Sequence, residues 1–262
     1  LNPFDTQAPV PGIKHILFVG SGKGGVGKST VAANLALALK TKGCKVGLLD
    51  ADIYGPSLPR MFGAINQNPE VNEDKKIFPI QRYGLKLMSI GFLVAEESSV
   101  IWRGPMLFKA MDQFFRDVIW GELDYLVIDL PPGTGDIPLT LAQKVPISGA
   151  VTVTTPQNLS LIDAKKALDM WERINVPNLG VVENMAGFVI PGQDEPLAMF
   201  PKGELDGYLD QKGLTKMASI PFHPTIAMSS EAGIPFMESQ SDSNESQAYT
   251  QMANIVLERL KI

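Results

Sequence analysis

Cysteine is nearly missing from this chain of 262 residues, Cys44 being its single thiol. That excludes an intrachain disulfide and suits a reducing compartment, so a cytoplasmic setting is expected. Histidine is almost as scarce. His15 begins an apolar run and His223 sits in the turn-like Pro221-Phe222-His223-Pro224, so neither has the company a metal ligand needs. Charged residues make up 19%, with a net charge of −5 and a pI near 5.2, which argues against a surface built to grip nucleic acid or anionic lipid. No apolar run reaches the roughly 18 residues that span a bilayer and no secretory leader is recognisable, so stable membrane insertion is not expected. Internal repeats and low-complexity tracts are also lacking.

What is present is ordinary globular composition, 45% hydrophobic, in a length that suits one or two domains. The chain opens at Leu1 rather than methionine, from which the expectation is a processed product or a piece of something longer. Residues 1–12, with prolines at 3, 9 and 11, read as an extended lead-in, and residues 13–262 as a single domain.

The stretch that organises the rest is Gly22-Lys23-Gly24-Gly25-Val26-Gly27-Lys28-Ser29-Thr30, which fits G-x-x-x-x-G-K-[ST]. The apolar run His15 to Gly20 before it reads as a buried strand, and Val31 to Lys40 after it as a helix. In that context the glycines let successive backbone N–H groups converge on a polyphosphate at the positive end of the helix. Lys28 is expected to reach the β- and γ-phosphates, and Ser29 to supply its hydroxyl to Mg²⁺.

Two more apolar runs close on carboxylates. Cys44 to Asp50 reads as a second strand, capped off from the helix before it by Gly43, and Tyr125 to Asp129 as another. Followed by Leu130-Pro131-Pro132-Gly133-Thr134-Gly135-Asp136, the latter looks like a Walker B strand, with Asp129 holding Mg²⁺ directly or through water. The loop Asp50 to Ser57 falls where parallel sheets bind ligands. A small hairpin is expected from Ile77-Phe78-Pro79-Ile80 and Leu85 to Ile90, and a helix from Trp102-Arg103-Gly104-Pro105 to about Trp120, with Leu107, Met111, Phe114, Phe115 and Val118 on its core face. Strands at Ala150–Thr155, Asn178–Glu183 and Thr215–Ile220 and helices at Ser160–Ile174 and Glu245–Leu260 continue the alternation. The fold class expected is therefore α/β, a mostly parallel sheet of about seven or eight strands with helices on both faces.

The form GKGGVGKS, with Lys23 as a second lysine, resembles the deviant phosphate loop of the MinD/ParA group of ATPases. Together with Asp50-Ala51-Asp52-Ile53-Tyr54-Gly55-Pro56-Ser57, Trp102-Arg103-Gly104-Pro105-Met106, the PPGTGD stretch and Glu183-Asn184-Met185, the chain resembles the Mrp/ApbC family of P-loop ATPases from about Ile13 to its C-terminus. The resemblance implies a Mg²⁺-dependent ATP-hydrolysing homodimeric switch that carries iron–sulfur clusters to apoproteins or works with a cluster-assembly partner. It implies that Lys23 reaches the partner subunit's nucleotide, that Asp52 orients the attacking water, that Asp50 supports the Mg²⁺ shell and that Asn184 touches adenine. Catalysis is thus assigned to Lys23, Lys28 and Asp52. Family members commonly carry a small domain ahead of the phosphate loop, which this chain does not contain. The family also places a C-x-x-C pair after Glu183-Asn184-Met185, where this chain has Ile190 and Gln193, so no iron–sulfur ligands are identified and the cluster itself stands in doubt. The alternative is a MinD-like spatial regulator or adaptor that binds no cluster and docks on a membrane through Ile255 to Ile262.

Overall fold

The computed structural model describes residues 7–93, 104–190, 197–201 and 203–261. Apolar runs that lack strict alternation become strands, those in the centre of the sheet buried on both faces and the edge strands partly exposed. They are β1 (Ile13–Ser21), β2 (Val46–Asp50), β3 (Ile80–Arg82), β4 (Leu85–Ser89), β5 (Leu123–Asp129), β6 (Gly149–Thr154), β7 (Asn178–Phe188) and β8 (Lys216–Phe222). They form one eight-stranded sheet in the order β3-β4-β2-β5-β1-β6-β7-β8, and only the edge pair β3–β4 is antiparallel. The fold class agrees with the expectation.

Between the strands run α1 (Lys28–Thr41), α2 (Leu58–Met61), α3 (Gly104–Arg116), α4 (Asp136–Lys144), α5 (Asn158–Arg173), α6 (Leu205–Lys212), α7 (Pro224–Glu231), α8 (Phe236–Ser239) and α9 (Asn244–Arg259). Side chains of β1 divide by parity. Leu17 and Val19 join a core with α1, α8 and α9, while Ile16 and Phe18 join a second core with α3, α4, α5 and α6. Helix α1 is buried from Val31 to Leu39 because the sheet lies under it and α8 and α9 pack against it, so it shows no polar face.

Several boundaries differ from the expectation. The hairpin is β3–β4, turning at Tyr83 and Gly84, both left-handed, whereas Ile77 bridges Val71 and Val118 instead. Helix α3 stops at Arg116, and Trp120 packs back with its indole N–H on the Phe114 carbonyl at 2.8 Å. Met111, Phe114, Phe115 and Val118 are buried as expected, while Trp102, Arg103 and the side chain of Leu107 lie outside the described residues. Of the lead-in, Val10 is buried and the Ala8 N–H meets the Lys144 carbonyl at 3.0 Å.

One polar residue inside α1 ties the core together. Asn34 is fully buried, donates to the Thr30 carbonyl at 2.9 Å and accepts the Met237 N–H of α8 at 2.9 Å. Removing the acceptor leaves a buried N–H with no partner, which costs about 1–3 kcal/mol. Asn34→Ala is therefore expected to lower the unfolding free energy measured in urea by that much; an unchanged unfolding free energy would show that α8 does not depend on this clip.

Candidate nucleotide site

The site forms where β1, β2 and β5 end side by side. Loop 21–27 leaves β1, bonds back to the β5 side through Gly133 N–H to the Ser21 carbonyl at 2.9 Å, and passes so close to α5 that a Cβ on Gly22 would sit 2.0 Å from the Asp163 carbonyl oxygen. Gly27 precedes α1 at φ 80°, a left-handed conformation that glycine adopts without strain, and its carbonyl accepts the first α1 hydrogen bond from Val31. Lys28 and Ser29 thus open the helix, facing the strand ends.

Asp50 and Asp129 stand opposite one another in register on adjacent parallel strands, and both are fully buried. The Lys28 ammonium donates to Asp129 Oδ1 at 2.5 Å, lies 3.3 Å from Ser29 Oγ and is 3.8 Å from Asp52 Oδ2. Burial pushes the Asp129 carboxyl above the ordinary range, against the pull of Lys28 and Ser29. Burial, then the neighbouring Asp129, pushes Asp50 up to about 7, opposed by the N–H groups of Leu58 and Asp52. Burial also raises Asp52, with Lys28 pulling it down.

The cavity bounded by this cluster measures about 340 Å³ and is lined by Lys23, Lys28, Ser29, Thr30, Asp52 and Ser57, among others. Two carboxylate oxygens facing the cluster, Asp129 Oδ2 and Asp52 Oδ1, are buried with no partner. Asp129 Oδ2 and the Ser29 hydroxyl are oxygen donors of the kind hard divalent cations take, so these two residues fit Mg²⁺. Asp50, expected to support the Mg²⁺ shell, has both carboxylate oxygens engaged by donors of the protein itself. Its Oδ1 accepts the Asp52 N–H at 3.0 Å, and its Oδ2 accepts Ser57 N–H at 3.0 Å, Leu58 N–H at 3.2 Å and Ser89 Oγ–H at 3.1 Å. Its place is to hold the loop that carries Asp52.

Asn184 is brought to the phosphate loop rather than standing apart from it. Its Nδ2 donates to the Val26 carbonyl at 2.8 Å, and Met185 follows at φ 57°. Ile190 lies half-buried just past the end of β7, and Gln193 lies outside the described residues. Cys44 sits before β2, at the end of that strand opposite to Asp50 and the loop. Among the described residues no group of three or more His, Cys, Asp or Glu could hold a metal ion. Sequence reasoning missed Ser57, and Arg60, Ser230 and Glu231 on the cavity's far wall, because α2 and α7 reach it only through tertiary packing.

A family model described as NUBPL iron-transfer P-loop NTPase matches residues 12–257. A protein of Aquifex aeolicus named iron-sulfur cluster carrier protein is 50% identical over 255 residues, covering 97% of this chain and 70% of that protein. Among solved structures, a nucleotide-binding protein of Archaeoglobus fulgidus in complex with ADP superposes with a TM-score of 0.77 at 38% identity, covering 91% of this chain and 93% of that one. The cell division ATPase MinD of Pyrococcus furiosus superposes at 0.68 with 23% identity, covering 93% and 98%, a likeness of fold.

The electrostatics of the cluster generate a stability prediction. A carboxyl whose folded pKa lies above its unfolded value holds its proton more tightly when folded, so its contribution falls as pH rises from about 4 through about 7 for Asp50. Lys28 opposes that loss. Lys28→Ala is expected to destabilise the nucleotide-free protein by roughly 3 kcal/mol near pH 8 and by clearly less near pH 5, as for a broken buried ion pair. Urea unfolding at the two pH values checks this, and an equal cost at both would contradict it.

Proposed function

The chain belongs to the NUBPL iron-transfer P-loop NTPase family, and from that premise we propose that it is a Mg²⁺-dependent ATPase, slow in turnover, working as a homodimeric switch that passes iron–sulfur clusters to apoproteins. One P-loop domain, residues 13–262, with residues 1–12 as its lead-in, performs the cycle in this reading. The observation that carries it is the convergence on one cavity of Lys28, Ser29 and Asp52, with Asp129 paired to Lys28 and with Asp52 Oδ1 and Asp129 Oδ2 buried and unpartnered.

Lys28 and the N–H groups of Gly22 to Thr30 bind the phosphates and offset their charge, so the work is positioning and electrostatics. Bound Mg²⁺, held by Ser29 and Asp129, would supply charge neutralisation on the phosphate oxygens. Asp52 holds the attacking water. The water oxygen bonds to the γ-phosphorus as the bond to the bridging oxygen breaks, and ADP keeps that electron pair. One water proton stays on the phosphate and the other is released. Lys23, at the mouth of the cavity, is assigned to the partner subunit's nucleotide, and Asn184 to the nucleoside side of the loop.

The spatial-regulator alternative needs an apolar face on the terminal helix, and that face is packed on the core, leaving Gln251, Asn254 and Glu258 exposed. Tyr249, Met252, Ala253 and Val256 of α9 are fully buried, the Leu260 carbonyl accepts the Tyr125 hydroxyl at 2.8 Å, and Arg259 bonds the Leu179 carbonyl at 2.9 Å. No described helix is long and apolar enough to cross a membrane.

Lys28→Ala is expected to abolish nucleotide binding, whereas Lys23→Ala keeps most of the binding and loses turnover. Titration with a fluorescent nucleotide and phosphate-release kinetics separate the two, and hydrolysis unchanged in both variants would sink the reading.

The cargo generates a second test. With one cysteine per chain, two subunits offer two thiolates where a cluster usually takes four, so this chain alone is expected to hold no stable cluster, and the remaining ligands come from a partner protein or a small thiol. After anaerobic reconstitution with iron and sulfide and then desalting, retention of about four irons per dimer would refute that expectation.

A further inference from the structure

Beside the phosphate loop and the strand-end carboxylates lies a hydroxyl with no task yet. Ser57 occupies the position before α2, where a serine ordinarily turns its Oγ onto the backbone N–H groups of the first helical turn. Here the side chain makes no such cap. The buried Asp50 carboxylate does it instead, accepting the N–H groups of Ser57 and Leu58 through Oδ2. The serine's backbone is thereby fixed while its hydroxyl is left over. That Oγ is buried without a partner, and Ser57 lines the same cavity as Lys28, Ser29 and Asp52.

A buried polar atom with no partner is costly unless something fills the role. Asp52 Oδ1 is in the same condition, and Asp52 is another residue lining the same cavity. A water molecule that is to attack phosphorus must aim a lone pair at it, which requires acceptors for both of its hydrogens. An ionised carboxylate oxygen provides one acceptor and a hydroxyl oxygen another, and the hydroxyl can also donate. Asp52 reaches the cavity on the loop that Asp50 holds, and Ser57 closes that loop, so the two oxygens are carried by one braced segment.

We propose that Ser57 is a positioning residue for the attacking water, accepting one of its hydrogens while Asp52 accepts the other, so that the free lone pair faces the γ-phosphorus. The inference rests on the reading of the chain as a nucleotide hydrolase. As the water oxygen bonds to phosphorus and the bond to the bridging oxygen breaks, ADP leaves with the electron pair. The hydrogen held by Asp52 passes to that carboxylate and on to solvent, and the hydrogen held by Ser57 remains on the phosphate. Mg²⁺ keeps its own oxygens, Ser29 and Asp129, so Ser57 acts on geometry and not on nucleotide affinity.

The test uses the full chain with Ser57→Ala, and with Ser57→Thr as the variant that keeps the hydroxyl. Because Oγ makes no bond within the protein, Ser57→Ala is expected to keep or raise the thermal midpoint and to bind ADP as the wild type does. Its single-turnover phosphate release is expected to fall roughly tenfold or more, and its retention of ADP with aluminium fluoride, a complex that needs the in-line ligand placed, to fall with it. Ser57→Thr is expected to recover most of both. Wild-type release and retention in Ser57→Ala would overturn the inference, as would a loss matched by an equal loss of ADP affinity or thermal midpoint. A wild type that binds ATP through Lys28 yet releases no phosphate would instead overturn the hydrolase reading on which the inference stands.

Discussion

Two carboxylates in register at the ends of adjacent parallel strands, both out of reach of water, set the terms for everything around them. Asp50 and Asp129 oppose each other across the β2–β5 pair, and charge at one raises the cost of charge at the other. The chain meets that cost in two ways. For Asp129 it brings a cation, Lys28, which requires the loop after β1 to turn back over the sheet and start α1 at that point. For Asp50 it brings neutral donors, three backbone N–H groups and the Ser89 hydroxyl from β4, the neighbouring strand on the other side. The first solution leaves Asp129 an unpartnered oxygen to offer a cation; the second leaves Asp50 none. The same electrostatic constraint thus leaves one of two similar residues with a free oxygen and the other fully bonded to the protein.

That division explains what the sequence could and could not reveal. The phosphate loop, the strands closing on carboxylates and the helix after β1 were legible because each is local: an apolar run, a glycine spacing or a helix-forming composition is complete within its own short stretch of chain. The role of Asp50 was not legible, since an apolar run ending in aspartate looks the same whether four donors or a metal await it. Ser57 was hidden for the same reason, because its place before α2 suggests a cap and only the tertiary arrangement shows another group capping. Helices α2 and α8, four residues each, carry too few positions for a 3.6-residue period to register. Asn184 was found by motif, yet its bond to the Val26 carbonyl joins residues far apart in the chain and follows from no local pattern.

The cargo side of the molecule is where family and residues part. The nucleotide machinery is dense with side chains whose positions depend on one another, whereas Ile190 occupies an expected thiolate position without disturbing any of them. The remaining thiol cannot take over. Cys44 precedes β2 and the carboxylate cluster follows it, so the five residues of the strand, roughly 16 Å at the usual rise, separate them. Burial and the charge of Asp124 also hold the Cys44 thiol above its ordinary pKa, which disfavours the thiolate that metal binding needs.

The loop that Asp50 braces does not end at the cavity. It runs through α2 to Gly63, where the backbone meets that of Gly233 after α7 so closely that a Cβ on Gly233 would lie 2.7 Å from the Gly63 Cα. Arg82 donates to the Gly63 carbonyl at 3.1 Å and the Tyr83 hydroxyl to the Gly233 carbonyl at 2.9 Å, so the β3–β4 hairpin clasps both sides of the contact. With no side chain between the two backbones there is nothing compressible to absorb a shift of the loop. A displacement at Asp52 or Ser57 must either be taken up within residues 51–62 or be passed to α7, whose next element, α8, is pinned to α1 through Asn34. The structure therefore joins both ends of the phosphate site, the helix that begins at Lys28 and the loop that carries Asp52, to one short helical pair.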